Sequence, residues 1–453
     1  MATIPFRDDR PPRPGVALAV AALVGVLAAG ALPAGRSASA SGTALPAGVT
    51  PLSGAVTFEG RGYGHGVGMS QYGARGRALA GQHAGVILAH YYRGATVGTV
   101  DPASAVRVLL LSGWPASKVV PLVLYGRGGG WTVEGVPGTM PANARLTYTP
   151  STSTAGSRLT VAWRLKVIAA DGRLLYDAAR STSFRLRPSG SGTSFELAPE
   201  PATRNRYRGT ITILPRTDAV TISAVNELAL DTYLRGVVPA EMPSTWPVEA
   251  LRAQAIVARS YAARKLRPGT SWYDVYDDTR SQVYHGLLAE RPSTDAAIAA
   301  TTGQVLRSGG SIASTVFHST AGGHTEHNEN VFVSSTGAKV AAPVSYLRGV
   351  PDVAPDGSSW DAAAPYARWT STTWSVAQLS DWLAADARTS VGTVLGLDLR
   401  NRGVSGRLLG VTVHGTTGVR QVSADVFRSI VNARKPGSDR PIRSNLFTLA
   451  PLQ

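Results

Sequence analysis

The chain has 453 residues, more than one hydrophobic core usually organises, so several structural units are expected. It contains no cysteine, which excludes disulfides and thiolate metal sites. Its 45 basic and 29 acidic residues give a net charge of +16, which favours polyanionic partners such as nucleic acid or an anionic cell wall.

The amino-terminal 40 residues have the layout of a secretory signal peptide. Three arginines precede an apolar run from Val16 to Leu32, and small residues at 38–40 offer a cleavage site. The run is almost long enough to span a bilayer, so an uncleaved membrane anchor is the alternative. Both interpretations place the remaining chain outside the membrane and favour the cell wall as the polyanion.

A glycine-rich segment at 60–74 carries the polar side chains His65, Ser70, Gln71 and Tyr72. Successive glycines let a backbone approach a ligand closely, and these side chains suit sugar hydroxyls and acetamido groups. A tight structural turn explains the glycines equally well. The segment is not a P-loop, because no Gly-Lys-Ser/Thr follows it.

The rest of the chain contains signals for both strands and helices. Short apolar or alternating runs rich in β-branched residues cover 104–215 and predict strands. The clearest helix starts near Pro247 and continues to Arg264, because Pro suits a first turn and small apolar residues share one face. Further helices are predicted at 376–387 and 425–431, so the fold class is α+β.

Glu241 is the best candidate for a catalytic residue. It is the only carboxylate between Asp231 and Glu249, and its neighbours are apolar, with prolines at 239 and 243. Apolar surroundings raise a carboxyl pKa, and a Glu that stays protonated near neutral pH can act as a general acid. A surface Glu beside a helix start is the alternative.

Ordinary glycoside hydrolysis uses two carboxylates, and the Glu241 stretch supplies one. A second would have to come from Asp274, Asp277 or Asp278. One acid/base suffices if the substrate supplies its own nucleophile. In peptidoglycan the muramic 6-hydroxyl can attack C1 and leave a 1,6-anhydro end. Glu241 would first protonate the leaving oxygen and then accept the hydroxyl proton.

Two further segments contain side chains suited to carbohydrate. His318 and Ser319 belong to a run with three histidines, but the spacing is not that of a metalloprotease and no nucleophile elbow is present. A hydrogen-bonding loop is therefore favoured over zinc or a serine hydrolase. Gln282 and Tyr284 combine an amide with a ring, as sugar clefts do, although strand-edge packing is equally compatible. Trp246 completes the predicted substrate-binding set.

These segments together resemble the stage II sporulation protein D and amidase-enhancer family. The resemblance extends over most of 55–450 and implies an extracytoplasmic wall protein. It also implies a lytic transglycosylase activity on glycan strands stripped of their stem peptides, with the catalytic Glu at Glu241. The matching stretches are 64–74 (GHGVGMSQYGA), 237–243 (VVPAEMP), 249–262 (EALRAQAIVARSYA), 281–284 (SQVY) and 317–323 (FHSTAGG).

The chain differs from the family pattern in two respects. In the family members that show the glycine-rich segment at 64–74, it lies at the carboxyl end, whereas here it precedes Glu241. Some relatives bind zinc with His and Cys near the position of His318, and this chain has no cysteine. Some members are described as enhancers of an amidase.

The sequence therefore predicts an α+β protein with a β-rich region inserted into a core like that of the sporulation protein. The predicted function is a peptidoglycan lytic transglycosylase, and the alternative is a non-catalytic enhancer of an N-acetylmuramoyl-L-alanine amidase. Glycan strands and anionic wall polymers are the expected partners, a cell-wall amidase is a further one, and no metal, cofactor or nucleic acid is expected. The expected divisions are a signal peptide at 1–40, a linker at 41–52, the glycine-rich segment and a helix at 53–100, the β-rich region at 104–215 and the core at 216–450.

Overall fold

The computed structural model describes residues 45–450, so the predicted signal peptide and the start of the predicted linker lie outside the described residues. Helices and strands are both abundant, which confirms the α+β prediction. None of the helices in the described part is long and apolar enough to cross a membrane. The α-helices there are α1 (Gln71–Leu79), α2 (Ala84–Tyr91), α3 (Leu230–Glu241), α4 (Val248–Lys265), α5 (Pro292–Ala300), α6 (Asn328–Val331), α7 (Val376–Ala384) and α8 (Ala424–Arg434).

The strands are short in most places and reach nine to eleven residues in four of them. They are β1 (Thr50–Pro51), β2 (Ala55–Val56), β3 (Phe58–Arg61), β4 (Met69–Ser70), β5 (Thr96–Thr99), β6 (Ala105–Pro115), β7 (Leu122–Arg127), β8 (Trp131–Val133), β9 (Arg145–Ala155), β10 (Arg158–Ile168), β11 (Leu174–Ala179), β12 (Phe184–Pro188), β13 (Ser194–Leu197), β14 (Arg206–Tyr207), β15 (Thr210–Pro215), β16 (Thr221–Ala229), β17 (Val275–Tyr276), β18 (Gln304–Ser308), β19 (Ser311–Ile312), β20 (Phe317–His318), β21 (Arg368–Thr370), β22 (Trp374–Ser375), β23 (Val394–Asp398), β24 (Gly410–Gly415), β25 (Gly418–Ser423) and β26 (Phe447–Leu449).

Two six-stranded sheets form the β-rich region. Their strand orders are β11-β10-β9-β7-β13-β14 and β17-β6-β16-β15-β12-β8, and every pairing is antiparallel except β17 with β6. Alternate residues are buried along β7 and β12, as expected for strands with one face on a core. The β-rich region is therefore larger than 104–215, since β16 and β17 also belong to it.

One continuous hydrophobic core joins these sheets to the helices that follow. It contains Trp131 and Trp163 from the sheets together with Leu234 of α3 and Ala258 of α4. The division expected between 215 and 216 thus passes through a single core. The position of Glu241 at the end of α3 is set by packing against the β-rich region.

Helix α4 confirms the helix predicted between 247 and 264. Its many alanines let α3, α5 and β18 pack closely around it. Arg259 is fully buried on α4, and its Nε donates to Asp231 Oδ1 of α3 at 2.6 Å. The same guanidinium donates to the carbonyls of Ile298 and Gln304 at 3.2 Å, so it ties α3, α5 and the start of β18 to one point.

A second core lies under the sheet β1-β23-β24-β25, covered by α7 and α8. The helices predicted at 376–387 and 425–431 are confirmed as α7 and α8. Ser375 and Gln378 form a reciprocal capping box that explains where α7 begins. Strand β1 pairs with β23, so the end of the predicted linker belongs to this sheet.

Candidate functional site

Helix α3 ends at Glu241 and contains two residues that disfavour helices. Pro239 lies in the last turn and has no N–H to donate to the carbonyl four residues earlier. Gly236 lies against the ring of Tyr284, and a Cβ at this position would be 2.6 Å from that ring. Because tertiary packing overrides local propensity here, the sequence did not reveal this helix.

Glu241 is half-buried and is held from two directions. Its Oε1 accepts a hydrogen bond from the backbone N–H of Val283 at 2.6 Å. Its main-chain carbonyl accepts one from the Nε2 of Gln71 at 3.0 Å. The loop at 281–284 and the start of α1 therefore meet at this residue, which brings three of the sequence motifs together.

Gln254 is a residue of this site that the sequence analysis did not select. Its side chain is fully buried on α4, and its Oε1 lies 3.4 Å from the Nε2 of Gln71. Its own Nε2 is buried and has no hydrogen-bond partner among residues 45–450. The sequence did contain a signal for Gln254, since it is a single amide among alanines on the buried face of a predicted helix. A buried polar group requires a hydrogen-bond partner, so such a residue points to a contact with another segment.

The negative charge of the Glu241 carboxylate contributes to the raised pKa values of two nearby tyrosines. Burial raises the pKa of Tyr261 to about 12, with Glu241 adding to the rise and a hydrogen bond with Ser281 opposing it. Burial also raises the pKa of Tyr233 well above its usual value, and the Tyr233 hydroxyl donates to Gln282 Oε1 at 3.4 Å. Both phenols stay protonated, so they add no negative charge beside Glu241.

An aromatic pair marks the exposed side of the site. The rings of Tyr72 and Trp246 meet edge to face with 4.6 Å between centroids, and the Arg75 guanidinium lies 5.7 Å from the Trp246 ring centre. Both rings are half-buried, and Trp246 packs on the small apolar cluster that includes Met242, the residue after Glu241. Part of each ring is therefore accessible to a ligand.

His65, Ser70, His318 and Ser319 come together on two paired segments. Strands β4 and β20 run parallel, with Ser70 opposite His318. The Ser70 hydroxyl caps α1 by accepting from Gly73 N–H at 3.1 Å, and the Ser319 carbonyl accepts the Tyr72 N–H at 3.0 Å. These contacts position the start of α1 and thereby Gln71 and Tyr72.

Burial disfavours the charged form of the two histidines of these segments. Their ring centres are 5.4 Å apart, the Nδ1 of His65 accepts the Val67 N–H at 3.0 Å, and the Nδ1 of His318 donates to the Val67 carbonyl at 3.1 Å. Burial, reinforced by the positive charge of Arg407, lowers the pKa of His65 to about 4 and that of His318 well below its usual value. Both rings hydrogen-bond the backbone of Val67 and so hold the glycine-rich segment in place.

The glycines of the same segment let the backbone approach other parts of the protein. Gly66 and Gly68 have φ values of +84° and +70°, which favour glycine. A Cβ at Gly66 would overlap the Arg407 guanidinium, and one at Gly68 would overlap the Val316 carbonyl. Of the two interpretations of this segment, the tight structural turn therefore accounts for these two positions.

Gln282 and Tyr284 are buried, whereas Glu241 is half-buried. Tyr284 is 2% exposed, and its hydroxyl donates to Asn226 Oδ1 at 2.8 Å inside the main core. A direct contact with a sugar would require it to leave that core. Gln282 is fully buried next to Tyr233, and its Nε2 has no hydrogen-bond partner within the described residues.

Two of the three candidates for a second carboxylate are held by arginines. Asp274 Oδ1 forms an ion pair with Arg107 at 2.7 Å, and Asp278 Oδ1 pairs with Arg280 at 2.9 Å. Asp277 is buried at 5% exposure. Between residues 45 and 450, no group of three or more His, Asp or Glu side chains is placed to hold a metal ion.

The family model described as Stage II sporulation protein matches residues 218–307, which include α3, Glu241, α4 and the 281–284 loop. We call this matched segment the SpoIID domain. It supplies Glu241, Gln254 and Gln282, whereas Gln71 and Tyr72 come from α1, outside the matched range. No solved structure matches the chain.

Three relatives each match a part of this chain. The amidase enhancer of Bacillus subtilis is 29% identical over 222 residues, which are 47% of this chain and 30% of that protein. The stage II sporulation protein D of Bacillus subtilis is 29% identical over 192 residues, 38% of this chain and 51% of that protein. An uncharacterised protein of Brachyspira hyodysenteriae is 38% identical over 146 residues, 32% of this chain and 37% of that protein. The matched segments thus span between about a third and a half of these relatives.

Proposed function

We propose that the protein is an extracytoplasmic lytic transglycosylase that cleaves peptidoglycan glycan strands, with Glu241 as the general acid and base. The observation that carries this proposal is the convergence at Glu241 of α1 and the 281–284 loop. The Val283 N–H binds Oε1 of the carboxylate, and the Gln71 amide, which also contacts Gln254 of α4, binds the main-chain carbonyl of Glu241. A carboxylate fixed in this way is preorganised for proton transfer.

The proposed reaction needs one carboxyl group. Protonated Glu241 gives its proton to the glycosidic oxygen while the C1–O bond breaks, and Oε2 carries this proton because Oε1 receives the Val283 N–H. The muramic 6-hydroxyl then attacks C1 and returns its proton to Glu241. No water is consumed, and the product carries a 1,6-anhydro end. The pairing of Asp274 and Asp278 with arginines favours this route over a two-carboxylate hydrolysis.

The substrate contacts follow from the exposed side of the site. Tyr72, which follows Gln71 in α1, and Trp246, which follows α3 in the chain, provide half-buried rings on which a sugar can stack. The resemblance to the family adds a preference for strands without stem peptides. The predicted signal peptide and the +16 charge support a location at the wall, where anionic polymers attract the protein.

A second candidate function is a non-catalytic enhancer of a cell-wall amidase. The observation in its favour is the similarity to the Bacillus subtilis protein that bears the name amidase enhancer. In that case the only role of the Glu241 carboxylate would be the hydrogen bond that connects α3 to the 281–284 loop. Glycan strands would bind at the site without being cleaved.

The decisive experiment is mass spectrometry of purified peptide-stripped strands incubated with wild type and with Glu241→Gln. General acid/base help is worth about 10²–10⁴ in rate, so the variant should release almost no product in an endpoint assay. The wild-type product should carry 1,6-anhydro ends and no added water.

Glu227→Gln is the matched control, because Glu227 is also half-buried and belongs to the same SpoIID domain. It should stay as active as wild type. Full activity of Glu241→Gln would contradict the catalytic assignment. Strand binding by a wild type that releases nothing would favour the enhancer function.

A further inference from the structure

A cleft of about 690 Å³ lies over the sheet β21-β3-β26, outside the SpoIID domain and separate from the residues around Glu241. Glu59 is its only acidic lining residue. Five arginines line it, and none of them forms an ion pair with an acidic residue within the described part of the chain. We call it the arginine cleft; the arginines are Arg61, Arg368, Arg402, Arg440 and Arg443.

Two of these charges are held in place by neutral groups. Arg402 donates from Nη1 to the Gly406 carbonyl at 2.7 Å and from Nη2 to the Phe447 carbonyl at 2.9 Å. The Arg443 guanidinium lies 3.7 Å from the centre of the Tyr366 ring. Their positions are thus fixed without a carboxylate that would neutralise them.

Many other arginines of this protein pair with an acid, as Arg107 does with Asp274 and Arg348 with Glu329. The arginine cleft departs from that pattern and carries five positive charges against one negative charge. Gathering like charges destabilises the folded chain, and an anion that occupies the cleft would relieve this repulsion. The uncompensated charge therefore points to an anionic ligand.

The shape of the cleft favours an extended ligand. A second cleft of about 620 Å³ shares Arg61 and Arg368 with the first and continues past Gly323 and Ser358. Its one acidic lining residue, Asp361, accepts the Gly322 N–H at 2.8 Å. The two clefts adjoin at Arg61 and Arg368, and this arrangement suits an extended polymer better than a single small anion.

We propose that the arginine cleft binds an anionic cell-wall polymer whose charges are phosphodiesters linking polyols. Guanidinium groups match phosphate oxygens with two parallel hydrogen bonds each, and several arginines along a path can follow successive phosphates. The site involves neither Glu241 nor its neighbours. It would anchor the protein to the wall independently of any glycan cleavage.

Single-stranded nucleic acid is the main rival polyanion, and the aromatic residues argue against it. Proteins that bind it gain about 1–3 kcal/mol per base from stacking on open aromatic faces. Here Arg443 covers Tyr366, and Trp369 is only 7% exposed. The cleft offers positive charge without an open stacking surface.

The test measures binding of purified poly(glycerol phosphate) at fixed salt to the wild type and to two triple variants. The cleft variant is Arg61→Gln, Arg368→Gln and Arg440→Gln, all three of which are exposed and form no side-chain hydrogen bond within residues 45–450. The control changes three exposed arginines of the β-rich region, Arg158→Gln, Arg173→Gln and Arg187→Gln. Both lower the net charge from +16 to +13, since 16 minus 3 is 13.

We expect the Kd of the cleft variant to rise by about tenfold or more, because charge-assisted hydrogen bonds are lost, and that of the control to rise less than threefold. The single variant Arg440→Gln should show the same direction if the triple variant does not fold. Glu241→Gln should bind like wild type, which separates this site from the proposed catalysis.

Three results would overturn the proposal. Equal weakening in both triple variants would show diffuse attraction by net charge. Absence of binding by the wild type would exclude a polyol-phosphate ligand. Tighter binding of oligo(dT) than of poly(glycerol phosphate), lost in the cleft variant alone, would assign the cleft to nucleic acid.

Discussion

The side-chain amide of Gln71 donates a hydrogen bond to the main-chain carbonyl of Glu241, with 3.0 Å between nitrogen and oxygen, across 170 positions of the chain. The last carbonyls of a helix have no partner within it, so this bond satisfies one at the end of α3. It also joins the glycine-rich segment, which lies outside the SpoIID domain, to the candidate catalytic residue inside it.

Gln71→Ala should therefore loosen the end of α3 while leaving the fold intact. A neutral hydrogen bond contributes about 0.5–1.5 kcal/mol, so the free energy of unfolding should fall by roughly 1 kcal/mol. Turnover of peptide-stripped strands should fall by tenfold or more, because a misplaced acid loses rate steeply. Unfolding in urea and initial rates check both values, and Gln421→Ala on the exposed face of β25 is the control. Unchanged turnover in Gln71→Ala would mean that the hydrogen bond between Gln71 and the Glu241 carbonyl has no part in catalysis.

Trp246→Ala should weaken substrate binding more than it slows the chemical step. The variant removes a half-buried ring that packs edge to face on Tyr72. An aromatic contact of about 0.5–1.5 kcal/mol corresponds to a change of roughly two- to tenfold in affinity. KM for glycan strands should rise by that factor, with a smaller change in kcat. Trp272→Ala removes a ring at another place on the surface, where it is 47% exposed, and should leave KM unaltered. Equal effects of the two variants would argue against a sugar contact at Trp246.

Arg259→Leu should destabilise the fold strongly. The guanidinium is fully buried and binds Asp231 and the carbonyls of Ile298 and Gln304. Removing one partner of a buried pair costs about 3–5 kcal/mol. The surface pair of Arg216 with Asp218 offers the comparison, since Arg216→Leu should cost at most about 1 kcal/mol. Chemical denaturation measures both, and a loss below 1 kcal/mol in Arg259→Leu would show that the buried pair contributes little.

Stability should fall as the pH drops from 6.5 towards 4. Burial lowers the pKa of His65 and of His90 to about 4, so both stay neutral in the folded chain while they protonate near 6.5 in the unfolded chain. At pH 5 the difference for the buried His65 corresponds to at most about 2 kcal/mol, and that for the partly exposed His90 is smaller because solvent screens its charge. Asp352 acts in the opposite sense, because burial raises its pKa to about 6 and the cost of its charge is relieved as the pH falls through that range.

Two variants separate these contributions. His65→Asn keeps an acceptor for the Val67 N–H and removes the titration, so its stability should decline less than that of wild type between pH 7 and pH 5. Asp352→Asn removes the opposing effect, so its stability should decline more. Urea midpoints across this pH range provide the measurement. Identical slopes for wild type and His65→Asn would exclude His65 as a source of the pH dependence.

Local features of the sequence were sufficient for α4, α7 and α8. Their signals are a proline before the first turn of α4 and apolar residues on one face, which act within a few residues. The motifs around Glu241 and the resemblance they carry are local in the same sense. The SpoIID domain could therefore be predicted from the sequence, and the family match confirms it.

Tertiary structure alone decided the geometry of the candidate site. Helix α3 forms despite Gly236 and Pro239 because the main core packs against it, and that core extends across the division expected at 215. The contacts of Gln71 with Glu241 and with Gln254 join residues 170 and 183 positions apart, so no local pattern encodes them. Tyr284 has the residue type of a sugar contact, yet its hydroxyl bonds Asn226 inside the core. Composition and spacing constrain which residues can do chemistry, whereas burial and hydrogen bonding between distant segments determine which of them reach the site.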